Sequence, residues 1–244
     1  MILDYLKRIF TGSAAEFTGL ADKALLGGEK LFIVTANPEI LMNAEHRPEV
    51  RELLLSPDVT IVPDGISVVK AMHTCGLPSR ERITGVELAE HLLATAGKNA
   101  CSVYLLGAKE EVVSQLADKL NRDYPQMTLH YHNGYDGDKE QIFEEIKGLS
   151  PDLVIVALGA PAQELLISRH YGDFQKGVFI GVGGSFDVLS GSKRRAPDFF
   201  IRTNTEWLYR IAREPSRLGR FWNNNVKFLG QVRRAAGAAG KKQG

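Results

Sequence analysis

The feature that most constrains this chain is a rhythm of short apolar runs. They cover residues 30–37 (KLFIVTAN), 59–65 (VTIVPDG), 101–108 (CSVYLLGA), 127–135 (MTLHYHNGY), 151–161 (PDLVIVALGAP) and 176–191 (KGVFIGVGGSFDVLSG). Runs with helical spacing lie between them, at 38–55, 85–97, 109–124, 138–149 and 163–171. Strands without polar alternation are buried on both faces, and parallel strands need a long crossover, usually a helix, between them. The pattern predicts an α/β fold: a mostly parallel sheet with helices on both faces.

Three of the runs end in glycine: Leu106-Gly107-Ala108, Leu158-Gly159-Ala160 and the GVGGS of 181–185. Glycine after a strand lets backbone approach a ligand, and the helix N-terminus beyond it attracts phosphate. Gly107, Gly159, Gly183 and Gly184 are therefore candidate nucleotide contacts, with Tyr135 and Asp187 beside them. Neither a G-x-G-x-x-G fingerprint nor a G-x-x-x-x-G-K-[ST] loop is present, which weakens the dinucleotide and P-loop classes.

Charge divides the chain. From Lys193 onward there are 13 Lys/Arg and three acids; the first 192 residues hold 17 basic and 26 acidic residues. A basic tail on an acidic body points to an anionic partner: phosphate, membrane surface or nucleic acid. We place a core at 1–195 and a basic helical appendage at 196–244. Arg210, Arg213, Arg217 and Arg220 have helical spacing, and Pro215 is expected to start a new helix. Beyond it, Leu218, Phe221, Trp222, Val226 and Leu229 form one face, and Arg217, Arg220, Asn224, Lys227, Gln231 and Arg234 another. Such a helix either lies on a membrane interface or packs its aromatics on its own domain. No long uncharged apolar run marks a membrane span, and MILDYLKRIF is too short and charged for a signal peptide. Cys75 and Cys101 lie far apart and suggest neither a disulfide framework nor a metal site. The first 30 residues are amphipathic enough to pair subunits in a homo-oligomer.

Several polar residues fall where chemistry is kept in such folds. Asp64 closes the second run. Its Pro-Asp-Gly context suits a turn, and turn chemistry is the commoner use, but a strand-end carboxylate also suits a general base. Thr35 and Asn37 end the first run and suit sugar hydroxyls; Asn37-Pro38 equally suits a helix cap. Arg82 precedes a helix and suits a diphosphate, though a single arginine is more often a solvated surface residue, and Gln163 either bonds a sugar or fills a first helical turn. Asp136 and Asp138 resemble a metal-holding Asp-x-Asp, yet Asp138 reads better as a helix cap. His130 and His132 share a strand face, and none of the six histidines has metal-ligand spacing.

Together TANPEIL, VPDGISVV, ERITGVEL, VYLLGAKEEVV, VALGAPAQE, GVGGSFDVLSGSKRRAP and EWLYRIAREPSRLGR resemble the WecG/TagA/CpsF glycosyltransferases over residues 31–220. The resemblance implies transfer of a sugar such as N-acetylmannosamine from a UDP donor to a polyprenyl-diphosphate-linked sugar. It implies a Rossmann-like fold with a C-terminal appendage, and work at the cytoplasmic face of the membrane, without an essential metal, for wall teichoic acid or other surface polysaccharide. It makes Asp64 the catalytic base, and Thr35, Asn37 and Gln163 the sugar pocket. Arg82 then faces a diphosphate, and Arg210, Arg213, Arg217 and Arg220 hold the acceptor's diphosphate. The family's usual Pro-Lys-Gln-Glu is Pro161-Ala162-Gln163-Glu164 here, so the lysine's contact is lost. A nucleotide-dependent oxidoreductase on the same sheet is the alternative. A nucleic-acid-binding protein is a third class, though no nucleic-acid partner is expected.

Overall fold

A computed structural model of the chain describes residues 2–197, 199–200, 203, 205–213 and 217–240. The side chains at 207, 210, 211, 213, 217, 220, 221, 223 and 238–240 lie outside the described residues. Six strands, β1 (Lys30–Ala36), β2 (Val59–Pro63), β3 (Ser102–Gly107), β4 (Thr128–His132), β5 (Leu153–Ala157) and β6 (Gly177–Gly181), form one sheet. Its order is β2-β1-β6-β5-β3-β4 and every pairing is parallel. The α/β reading of the sequence holds, strand for strand.

The helices are α1 (Ile2–Leu6), α2 (Ala14–Gly27), α3 (Pro38–His46), α4 (Pro48–Leu55), α5 (Ile66–Thr74), α6 (Gly85–Lys98), α7 (Glu110–Asp123), α8 (Lys139–Leu149), α9 (Ala162–His170), α10 (Ser185–Leu189), α11 (Glu206–Arg213) and α12 (Arg217–Gly240). All but α11 divide between two apolar layers. One face of the sheet packs α1, α3, α4, α5, α8, α9 and α12 through residues such as Tyr5, Leu41, Leu54, Met72, Phe143, Ile167 and Phe228. The other packs α2, α6, α7 and α10 through Phe17, Leu92, Leu116 and Phe186. The central strands β5 and β6 are buried at every position, as burial on both faces requires.

The sequence reading needs three adjustments. The stretch 38–55 is two helices. Pro48 sits at the N1 position of α4, and Arg47, extended at φ −123°, ends α3. Proline disfavours helical backbone in the residue before it, so the break follows from chemistry already visible in the sequence. Within the first 30 residues Tyr5, Leu6, Phe17 and Leu25 are buried in the two layers, while Leu20 and Leu26 stay exposed. The last helix is also an integral part of the fold. α12 buries Phe228 and Val232 against the first layer, and Ser67 Oγ of α5 bonds Asn225 Oδ1 at 3.0 Å. Asn224 and Gln231, of the polar face, are half-buried. Leu218, Trp222, Val226 and Leu229 stay exposed, with Trp222 at 66%. Phe221 falls outside the described residues.

Among the described residues, no helix is long and apolar enough to cross a membrane.

Candidate functional site

Topology places a crevice at the C-terminal ends of the strands. After β1 the chain passes to α3 on one face; after β6 it passes to α10 on the other. The neighbouring strands β5 and β3 part in the same way, toward α9 and α7. Ligands of open α/β sheets bind where the connections diverge like this.

Asp64 stands at that edge. Its N–H donates to the Ala36 carbonyl at 2.8 Å, which extends the β1–β2 ladder by one residue. Gly65 follows at φ +123°, a conformation that L side chains rarely adopt, and opens α5. The turn reading and the strand-end reading are therefore both realised, and the carboxyl side chain is half-buried. Thr35 is opposite Val62 in the β1–β2 register, so Thr35, Asn37 and Asp64 lie together as expected. Thr35 is buried and donates through Oγ1 to the Gly181 carbonyl at 3.3 Å. Asn37 caps α3, with its side chain accepting from the Ile40 N–H at 3.1 Å.

The start of α6 closes the second side. Ile83 N–H donates to Pro63 O at 2.8 Å, running the preceding segment along the end of β2. A Cβ on Gly85 would lie 3.4 Å from Thr35 Cγ2, so the helix begins against that strand end. Thr84 caps α6 and also donates to Glu87 Oε2 at 2.6 Å; Glu87 pairs with Arg195 at 2.6 Å. Burial pushes the Glu87 carboxyl up, but the Thr84 hydroxyl, Arg195 and Arg82 outweigh it and leave it below the usual range. Arg82 pairs with Glu206, the first residue of α11, at 3.8 Å, and both side chains are largely buried. The arginine expected to face a diphosphate thus ties the C-terminal appendage beside the crevice. Arg210, Arg213, Arg217 and Arg220 lie on α11 and α12, and their side chains fall outside the described residues.

Gln163 differs from the sugar contact anticipated for it. It is 3% exposed, and its Oε1 accepts the N–H groups of Gly159 at 3.0 Å and Gly183 at 2.9 Å. Its Nε2 donates to Glu164 Oε1 at 2.7 Å. Two of the four candidate glycines, Gly159 and Gly183, thus have their N–H groups engaged within the fold, and Ser185 N–H is held by Val182 O at 3.2 Å. Gly107 at φ +131° is packed so that a side chain there would run into the Ala157 carbonyl. Gly184 precedes α10 as its cap. Asp187 is held by Lys193, whose Nζ is 3.7 Å from Oδ1.

Tyr135 borders a cleft of about 260 Å³ past β3 and β4, lined by Lys109, Glu110, Glu111, Asn133 and Asp136. Its ring is exposed, while its N–H donates to Asn133 Oδ1 at 2.9 Å. A larger groove of about 490 Å³ between α4 and α9 lies outside the strand ends, and its Arg47 and Arg169 are paired with Glu49 and Glu140. Asp138 caps α8 through the Glu140 N–H, not through a full capping box, and Asp136 accepts from Asn133. Glu144, His170 and Asp173 are close enough to share a metal ion, but α9 carries His170 to the opposite edge of the sheet. His130 stacks on Tyr104.

Sequence reasoning missed Glu164. It is 1% exposed in the first turn of α9, and burial, with the like charge of Glu39, pushes its carboxyl up to about 7 against the opposing bonds from Gln163 and its own N–H. Its Oε2 has no partner among the described residues. Only its neighbourhood to Gln163 in the motif signalled it.

The sequence model of the WecG/TagA/CpsF glycosyl transferase family matches residues 5–242. The chain belongs to this glycosyltransferase family. It is 41% identical over 187 residues to a Bacillus spizizenii protein named N-acetylglucosaminyldiphosphoundecaprenol N-acetyl-beta-D-mannosaminyltransferase, covering 76% of this chain and 72% of that one. It is 42% identical over 191 residues to a Staphylococcus aureus protein of the same name, covering 78% and 75%. The chain is thus a sugar-transferring enzyme, and the oxidoreductase alternative has no support.

Proposed function

We propose that this glycosyltransferase moves N-acetylmannosamine to the GlcNAc of an undecaprenyl-diphosphate-linked acceptor, the transfer that its relatives' names describe, and that its donor is a UDP-sugar. The product serves wall teichoic acid or another surface polysaccharide. The observation that carries the residue assignment is Asp64, fixed by its backbone to the end of β1 in the crevice that Thr35 and Asn37 also reach.

The acceptor hydroxyl attacks the anomeric carbon and gives its proton to Asp64, while UDP leaves from the far side. One displacement inverts the centre, and a beta linkage then follows from an alpha donor. Asn37 keeps its amide nitrogen for the sugar while its oxygen caps α3. Gly107, Gly159, Gly183, Gly184, Tyr135 and Asp187 surround the nucleotide, with Gly159 and Gly183 keeping their N–H groups on Gln163, and no metal is needed. A fixed polar environment stabilises leaving charge, and losing one such donor costs about 3–4 kcal/mol in comparable oxyanion sites. Arg210, Arg213, Arg217 and Arg220 hold the acceptor diphosphate. The exposed stripe Leu218, Trp222, Val226 and Leu229 rests on the inner, anionic face of the cell membrane.

UDP release from a panel of UDP-sugars, with a short-chain lipid-diphosphate-GlcNAc acceptor and with or without chelator, tests the reading. N-acetylmannosamine transfer that survives chelation is expected, and Asp64→Asn should abolish turnover while UDP still binds. Absence of release with every pair would refute the substrate assignment; collapse with chelator would refute metal independence; near-normal turnover of Asp64→Asn would remove the base.

A further inference from the structure

Glu164 and Gln163 form a buried unit that no substrate contact explains. Glu164 Oε1 accepts from Gln163 Nε2, and Gln163 Oε1 accepts two N–H groups from two different turns, Gly159 between β5 and α9 and Gly183 between β6 and α10. Gly181 provides the space: a Cβ there would lie 2.7 Å from Gln163 Nε2. The same Gly181 offers its carbonyl to Thr35 Oγ1. One connected set of bonds and packing therefore runs from Thr35 on β1, across the end of β6, to α9.

We propose that Glu164 is a positioning residue: its carboxyl fixes the Gln163 amide, and that amide clamps the two glycine turns that shape the floor of the crevice. The proposal rests on the reading of this crevice as the donor site. A buried carboxyl with one unpartnered oxygen is a costly filler for an apolar layer, and a leucine or methionine would pack there at less expense. What the carboxyl supplies, and an apolar side chain cannot, is an acceptor for Gln163 Nε2. That nitrogen must donate, because two N–H groups already oblige the oxygen to face the turns. The carboxyl, pushed up to about 7 with Glu39 of α3 as the like charge acting on it, holds its proton under acidic conditions. Glutamine is therefore its nearest substitute: it has the same length, with an acceptor and a donor.

Amide hydrogen exchange on the substrate-free enzyme, paired with steady-state kinetics, tests the proposal. In Glu164→Ala, exchange at Gly159 and Gly183 should accelerate about tenfold relative to the amides of Ile155 and Ile180 in the sheet, the effect of one ordinary hydrogen bond. KM for the UDP-sugar should rise about tenfold with a smaller change in kcat. Glu164→Gln should bring both readouts back to within about threefold of wild type. Uniform acceleration across sheet and turns would mean a merely structural residue and overturn the proposal. Unchanged glycine exchange in the alanine variant, or a glutamine variant as impaired as alanine, would overturn it too. The exchange arm needs no substrate. If the wild type turns over no UDP-sugar while the glycines respond as expected, the donor-site reading fails and the clamp stands.

Discussion

Burying a carboxyl that has a spare oxygen makes stability depend on pH, and Glu164→Gln isolates that dependence. The group is almost fully buried, and its proton is held to about pH 7 in the folded chain against an ordinary value of 4.5. The folded state binds this proton more tightly than the unfolded state does. Its contribution is therefore whole below about pH 4.5 and is lost as pH rises through about 7. Each pKa unit is worth about 1.4 kcal/mol, so the full loss is about 3 kcal/mol by pH 8. Glutamine does not titrate. The difference in stability between wild type and Glu164→Gln should swing by about 3 kcal/mol in favour of the variant between pH 4.5 and 8. For a chain of this size that is roughly 6–12 °C in relative Tm. Thermal unfolding followed by circular dichroism at pH 4.5, 5, 6, 7 and 8 measures it. Using the difference removes every other titrating group common to both proteins. An offset that stays constant across this range would refute the account of Glu164 as a buried neutral acid.

Phe228→Ala should cost about 3–5 kcal/mol in urea unfolding, because its ring is fully buried between α12 and the first layer; a cost below 1 kcal/mol would mean that α12 does not dock there. Gly107→Ala combines an unfavourable φ with a collision against the Ala157 carbonyl, and a loss of at least about 2 kcal/mol is expected from the same measurement. The double change Trp222→Ser with Leu229→Ser should leave stability within about 1 kcal/mol, since both side chains are exposed, and should abolish flotation with anionic liposomes. Flotation equal to wild type would refute the assignment of this stripe to a membrane surface.

The sheet was legible because its signal is local. A run such as LVIVA has no polar residue to turn toward water, and each of the six runs supplies one strand. The order of strands was not legible, since the sequence says that β1 precedes β2 but not that β6 inserts beside β1. The position of Asp64 was readable as a strand end, and the match of motifs gave its neighbours. Gln163 and Glu164 show where such reading stops. The residues that explain Gln163 are Gly159, four positions back, and Gly183, twenty positions on, and Thr35 reaches the same place from 146 positions before Gly181. No window along the chain contains that set.

The tail shows a different limit, one of period and length. The apolar positions 218, 222, 226 and 229 form a helical stripe, and reading only that far leaves it either to lie on a membrane or to pack on its own domain. Continuing one turn adds Phe228, Val232 and Ala235, with spacings of four and three on an adjacent face. The fold buries this second stripe and leaves the first in solvent. The helix therefore has two apolar faces and needs only one to dock. An exposed Trp, Val and two Leu on a helix already anchored to α3 and α5 gain nothing from their own domain. They lie on a segment whose composition is strongly basic, and the anchor includes Asn225, bonded to Ser67 one turn beyond the Asp64–Gly65 turn. Under the proposed function, a surface that takes up this stripe is brought, by the same helix, to the edge of the crevice assigned to the lipid-linked acceptor.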